Sequence, residues 1–267
     1  MFEPLRNIFR SKPDPALPRV PEGERYYVIG DVHGCADQFS ALIEAIERDD
    51  AEADSAKTTV VLLGDLIDRG PDSAGVVAAA RDWQERRKVR ILAGNHEEMF
   101  LRSFEDIEVL RHFLKFGGRE TILSYGLKRK KYNKLSLEEL FEEMGEIVPK
   151  ADRKFIRAFE DMIVAGDYVF VHAGVDPRRS IEEQKIKDLR WIRDRFLSHE
   201  GSFSHVVVHG HTIFDEIEDC GMRIGIDTGA YQSGRLTALV LEGTGRRAIA
   251  AVENDGEIVI EHEEIRR

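Results

Sequence analysis

Five short apolar runs, "YYVIG", "TTVVLLG", "VRILAG", "DYVFVHAG" and "HVVVHG", recur along the chain, each nearly free of polar alternation. Runs of this kind suit strands buried on both faces, which points to a sheet covered on either side. Between the first two, Phe39, Leu42, Ile43 and Ile46 follow the i, i+3, i+4, i+7 spacing of an amphipathic helix. Val76, Val77, Ala80 and Trp83 do the same before the third run. The order strand, helix, strand, helix, strand predicts parallel strands joined by right-handed crossovers. Residues 96–163 read as mostly helical, with Ser136 and Glu139 forming a capping box before "LEELFEEM". Farther on, "RIGIDTG", "RLTALVLEG", "RAIAAVE" and "EIVIEHE" are separated by turn residues with no room for helices, so antiparallel strands are expected there.

The chain of 267 residues, 42% hydrophobic, can bury a substantial core, and we read residues 25–267 as a single domain. Residues 1–24 carry Pro4, Pro13, Pro15, Pro18 and Pro21 and read as an extended arm outside that core. A formal charge of −11, from 39 basic and 50 acidic residues, argues against general affinity for nucleic acid or an anionic membrane. A phosphorylated substrate would therefore need local positive charge in its site. Cys35 and Cys220 are the only cysteines, and no N-terminal stretch has the pattern of a secretory signal. No apolar run approaches the roughly 20 residues needed to cross a bilayer, so a soluble, cytoplasmic protein is expected.

Each of the five runs ends on residues able to bind a metal: Asp31 and His33, then Asp65, then Asn95 and His96, then His172, then His211. In parallel α/β sheets the ligand site lies beyond the carboxyl ends of the strands, so these side chains are expected to meet at one edge. Extended backbone would aim Asp31 and His33, two residues apart, at a single point. Taken alone, each motif reads equally as a turn with a polar cap. Their recurrence at five run ends favours the metal reading over the cap reading.

The motifs "GDVHG", "GDLIDRG" and "GNHE", followed by His172 and His211, resemble the phosphoprotein phosphatase branch of the calcineurin-like metallophosphoesterases, in particular its small bacterial and phage members typified by lambda phage phosphatase. The resemblance spans roughly residues 25–242, including "LRWIRDRF" and "IDTGAYQSGRLT". It implies a four-layer α/β/β/α fold with two facing mixed sheets flanked by helices. It also implies that Asp31 and His33 bind one metal ion, that Asn95, His172 and His211 bind a second, and that Asp65 bridges them. Mixed nitrogen and oxygen ligands suit manganese, iron or zinc better than magnesium or calcium. By the same resemblance Arg69, Arg193 and Asn95 contact the substrate phosphate, and His96, oriented by Asp68, protonates the leaving oxygen. The implied reaction is hydrolysis of phosphoserine or phosphothreonine in proteins, or of small phosphate esters, by a hydroxide shared between the ions. A dinucleoside polyphosphate hydrolase of the same superfamily is the enzymatic alternative. That relative typically has alanine in place of Asp68 and aspartate in place of Glu97. A non-catalytic phospho-binding scaffold is the alternative of another class, and it would be expected to have lost part of this set.

Overall fold

The computed structural model describes residues 17–265. Strand β1 (Glu24–Ile29), helix α1 (Ala36–Glu52), β2 (Lys57–Leu62), α2 (Ser73–Arg86) and β3 (Val89–Ile91) follow in the expected alternation. A helical block comes next: α3 (Asn95–Arg102), α4 (Ile107–Phe113), α5 (Arg119–Ser124), α6 (Arg129–Tyr132), α7 (Leu137–Ile147) and α8 (Lys150–Arg157). Its capping box is present, with Ser136 Oγ accepting from the Glu139 amide at 3.1 Å and the Glu139 carboxylate accepting from the Ser136 amide at 2.7 Å. Strands β4 (Met162–Ala165), β5 (Tyr168–Val171) and β6 (Val206–His209) enclose the short helices α9 (Ile186–Trp191) and α10 (Asp194–Leu197). The remainder comprises β7 (Glu218–Asp219), β8 (Arg223–Gly225), α11 (Ala230–Ser233), β9 (Arg235–Glu242), β10 (Gly245–Asn254) and β11 (Glu257–Glu264).

Two mixed sheets result, ordered β11-β10-β9-β1-β2-β3 and β4-β5-β6-β8-β7. Tyr26, Val28, Val61 and Leu63 of the first pack against Phe170, Val208 and Ile224 of the second, which makes the layer between the sheets. On the outer face of the first sheet, Tyr27, Ile29 and Leu62 meet Phe39, Leu42, Val77 and Trp83 of α1 and α2. On the outer face of the second, Val169, Val171 and Val207 meet Leu189 and Phe196. Helices thus flank two facing sheets, the four-layer order that the resemblance implies. Alternate side chains of β1 and β2 enter different layers, so both faces of each strand are apolar and the runs lack alternation.

Two expectations change. "RIGIDTG" does not join the antiparallel ending: β8 pairs parallel with β6 and antiparallel with the short β7 in the second sheet, while β9, β10 and β11 form the antiparallel part of the first. Of the arm assigned to residues 1–24, residues 1–16 lie outside the described part of the chain, and the rest is docked. Val20 is buried between the sheets, its amide donates to the Gly243 carbonyl at 3.1 Å, and the Arg19 amide donates to Asp167 at 2.9 Å. A buried valine with satisfied backbone outweighs the prolines around it. No helix among the described residues is long and apolar enough to cross a membrane.

Candidate metal centre

The register of β1 and β2, from Glu24 opposite Lys57 to Ile29 opposite Leu62, brings their carboxyl ends level, and β3 joins with Leu62 opposite Ile91. In the second sheet Phe170 lies opposite Val208. The loops carrying Asp31, Asp65, Asn95, His172 and His211 therefore leave from one edge. Strand alternation is not what aligns Asp31 with His33. β1 ends at Ile29, and His33 has a left-handed φ of 46°. The Val32 and His33 amides both donate to the Asp65 carbonyl, at 3.1 and 2.8 Å, so the two loops hold each other. Among the described residues six non-glycine positions have positive φ, and five of them are His33, Asp65, Asp68, Arg69 and His211. Such conformations cost on the order of 1–3 kcal/mol each and persist where surrounding contacts fix them, typically at functional sites.

Asp65 stands at the middle. Its Oδ2 lies 3.4 Å from His172 Nε2, 3.6 Å from His33 Nε2 and 3.9 Å from His96 Nε2, all buried. These separations exceed ordinary hydrogen bonds and suit donors arranged around a shared cation. His33 Nδ1 lies 2.8 Å from the Ile67 carbonyl and His172 Nδ1 2.9 Å from the Leu63 carbonyl. A carbonyl only accepts, so each Nδ1 carries a proton and the neutral ring turns its Nε2 lone pair to the cluster, the usual outer bond of a metal-binding histidine. His211 Nε2 is buried without a hydrogen-bond partner among the described residues. Asn95 Oδ1 is 3.0 Å from His172 Nε2, and both Asp31 oxygens accept from the His211 amide, at 3.2 and 3.1 Å. Two groups could hold an ion, His33 with Asp65 and His96, and Asp65 with His172 and His211, the donor atoms of each lying within 4.8 Å of one another. The unpartnered His211 Nε2 and the mixed nitrogen and oxygen donors fit divalent transition metals sharing Asp65. Burial opposes ionisation of Asp65, yet the imidazoles of His172, His96 and His33 hold its carboxyl well below the usual range.

His96, placed off the ions by the resemblance, thus also falls within one donor group. Its other nitrogen has a separate partner: Nδ1 lies 2.6 Å from Asp68 Oδ2, and both residues are fully buried. Thr121 Oγ1 donates to Asp68 Oδ1 at 2.5 Å, and the Asp68 amide donates to Ser73 and Thr121, each at 2.9 Å. Burial works against the imidazolium of His96, but Asp65 and the bond to Asp68 outweigh it and raise its pKa. Arg69 donates to His33 Nε2 at 2.8 Å and to His96 Nε2 at 2.9 Å, and lies 4.9 Å from the Tyr231 ring centroid. Tyr231 also meets the His33 ring edge-on at 5.3 Å, so it borders the site.

Arg193 donates to the His211 carbonyl at 3.3 Å. Its neighbours are committed elsewhere, Arg190 to Asp161 and Glu98, Arg195 to Asp188 and Asp176. Among these three, Arg193 alone has no carboxylate partner within the described residues. His209 sits between Phe196 and Phe214, at ring distances of 4.9 and 6.2 Å, and burial pushes its pKa down to about 4. It is a packed neutral side chain. Cys35 is buried, and its thiol is raised to about 11 by that burial, then by the charge of Glu253.

Two supports went unread in the sequence. Glu97 accepts from the amides of Asp65 and Leu66, each at 2.8 Å, and of Gly94 at 2.9 Å, tying the second and third motifs together. Thr121 reaches Asp68 from 53 positions away. The glutamate was visible in "GNHE", whereas no local signal marks the threonine. Gly94 is equally constrained, because a Cβ there would lie 2.0 Å from Asp65 Oδ1. We expect Gly94→Ala to displace that carboxylate and weaken manganese binding by about tenfold or more, the scale of outer-shell damage at metal sites. Calorimetric titration of a variant shown to be folded by circular dichroism checks this.

The sequence family described as calcineurin-like phosphoesterase matches residues 24–234. The chain is 29% identical over 240 residues to the asymmetrical bis(5'-nucleosyl)-tetraphosphatase PrpE of Bacillus velezensis, covering 79% of this chain and 87% of that protein. It is 30% identical over 223 residues to serine/threonine-protein phosphatase 1 of Salmonella typhimurium, covering 79% and 89%. In fold it is similar to the crystal structure of a candidate diadenosine tetraphosphatase, with a TM-score of 0.54, 21% identity, and 92% and 98% of the two chains covered.

Proposed function

The chain belongs to the calcineurin-like phosphoesterase family, and we propose that it is a two-metal phosphomonoesterase acting on phosphoserine and phosphothreonine. The observation carrying this reading is the buried His96–Asp68 pair at 2.6 Å. An alkoxide leaving group departs poorly without a proton, and a histidine held by a buried carboxylate supplies one. The departing phosphate of a dinucleoside polyphosphate has less need of it.

In this reading Asp31, His33 and Asp65 hold one divalent ion and Asp65, Asn95, His172 and His211 the other, with manganese favoured and iron or zinc as substitutes. When bound, the ions supply Lewis acidity and an activated water nucleophile at neutral pH. The side chains do the rest. Asn95 and the planar forks of Arg69 and Arg193 bind phosphoryl oxygens. Arg69 leaves His33 and His96 as it turns to the substrate, which frees His96 Nε2 to carry a proton. That proton passes from Nε2 to the leaving oxygen, while Asp68, fixed by Thr121 and Ser73, keeps the ring aimed.

A second reading, hydrolysis of dinucleoside tetraphosphates, is favoured by the name of the Bacillus velezensis relative, 29% identical over 240 residues. A cavity of about 600 Å³ beside Arg69, bordered by Tyr231, Gln232 and Asp255, has room for part of a nucleoside. Assay of phosphoserine peptides and diadenosine tetraphosphate side by side with manganese separates the two. We expect the larger kcat/KM on the phosphopeptide. A tenfold or greater preference for the dinucleotide would replace the first reading by the second.

A further inference from the structure

Asp227 has no part in the set above, yet it lies at the same edge. It follows β8, which pairs with β6 through Gly225 opposite His209, and it is 1% exposed. Its backbone is fixed from two sides. The Asp227 carbonyl accepts from the Phe214 amide at 2.9 Å, in the loop after His211. On the β1 side the contact is so close that a Cβ on Gly30 would lie 3.4 Å from Asp227 Cα and 2.5 Å from the Ile226 carbonyl oxygen. Asp227 is thus wedged between the loops that deliver Asp31 and His211.

Its carboxylate is only half used. Oδ1 accepts from the Gly229 amide at 2.9 Å, and Oδ2 has no protein donor within hydrogen-bond distance among the described residues. The groups whose charge it feels include Asp65, His172 and Arg69, all from the candidate centre. Asp31, Asp65 and Asp227 are all buried at this one edge, and Arg69 bonds to the histidines and to none of the three. Burying like charges together costs several kcal/mol per ion unless a counter-charge is present, and divalent cations are the counter-charge this site can accept.

We infer that Asp227 is a further carboxylate of the metal centre, contributing negative charge to the cation at the Asp31 end through its free Oδ2. The inference rests on the two-metal reading of the site. It is distinct from a role in shaping the turn, because the turn uses Oδ1 alone.

Asp227→Asn separates the two, since asparagine retains an oxygen for the Gly229 amide and removes the charge. Manganese binding by calorimetry, and thermal unfolding in EDTA and in excess manganese, would be measured at pH 8 for the wild-type protein and the variant. We expect the variant to bind the weaker ion about 10- to 100-fold less tightly, the scale seen when a supporting carboxylate is lost. We also expect it to unfold in EDTA at the same or a higher temperature than the wild-type protein, because a like charge has gone, and to gain less from manganese. Unchanged affinity in the variant, whatever its Tm in EDTA, would overturn the inference and leave Asp227 as a turn residue. Wild-type protein that binds no manganese would overturn the two-metal reading as well. Should the variant not fold, a crystal of manganese-loaded wild-type protein decides. Asp227 Oδ2 reaches an ion directly or through one water if the inference holds, and faces away from both if it fails.

Discussion

His96→Asn is expected to keep both metal ions and most substrate affinity while slowing hydrolysis of a phosphoserine peptide by about 100-fold or more, the usual scale for a general acid. The structure gives a reason to separate this side chain from the candidate metal ligands beside it. Asn95 faces His172 at 3.0 Å, whereas His96 turns its Nδ1 to Asp68 at 2.6 Å. The backbone role of residue 96, an amide donating to Asp65 Oδ1 at 3.0 Å, survives the substitution. Leaving-group dependence sharpens the test. A nitrophenolate departs without protonation, so the variant should lose much less activity on an aryl phosphate than on phosphoserine. Asp68→Asn should follow the same pattern more mildly. Equal losses on both substrates, or loss of an ion with the imidazole, would instead make His96 a metal ligand, a role its 3.9 Å distance from Asp65 Oδ2 permits.

Asp65→Asn should have the broader effect, on both ions together. Three imidazoles surround this one carboxylate at 3.4 to 3.9 Å, and it belongs to both donor groups. Removing its charge leaves two cations without the anion between them, and their mutual repulsion is then less offset. The loss in affinity should exceed the roughly 10- to 100-fold typical of outer-shell changes, and turnover on every substrate should fall with it. Metal content by elemental analysis after gel filtration is the direct readout. Two ions retained per chain would show that another residue bridges them.

The sequence revealed the alternation of strand and helix in the first half, because β1 and β2 are apolar on both faces, β3 buries Val89 and Ile91, and the intervening helices bury one stripe each. It also revealed which residue types gather at the strand ends. What it misjudged was geometry that depends on distant partners. The alternation argument for Asp31 and His33 fails because β1 stops at Ile29 and the loop turns left-handed at His33, held there by the Asp65 carbonyl. "RIGIDTG" reads like its antiparallel neighbours because a short apolar run carries no record of which sheet it joins. It lies between β6 and β7 in the second sheet, parallel to the one and antiparallel to the other. Thr121 is the plainest case, a helix residue with no motif around it that completes the shell of Asp68. Tyr231 is similar, since only the folded loop brings its ring over Arg69.

On the two-metal reading one buried edge holds two cations around Asp65, and anomalous scattering from a manganese-soaked crystal would locate them. Two peaks about 3.5 to 4 Å apart are expected, the spacing common to two-metal hydrolases. Asp65 Oδ2 should contact both, His33 and Asp31 the first, and Asn95, His172 and His211 the second. A single peak, or two peaks of which one lies out of reach of Asp65, would contradict that reading.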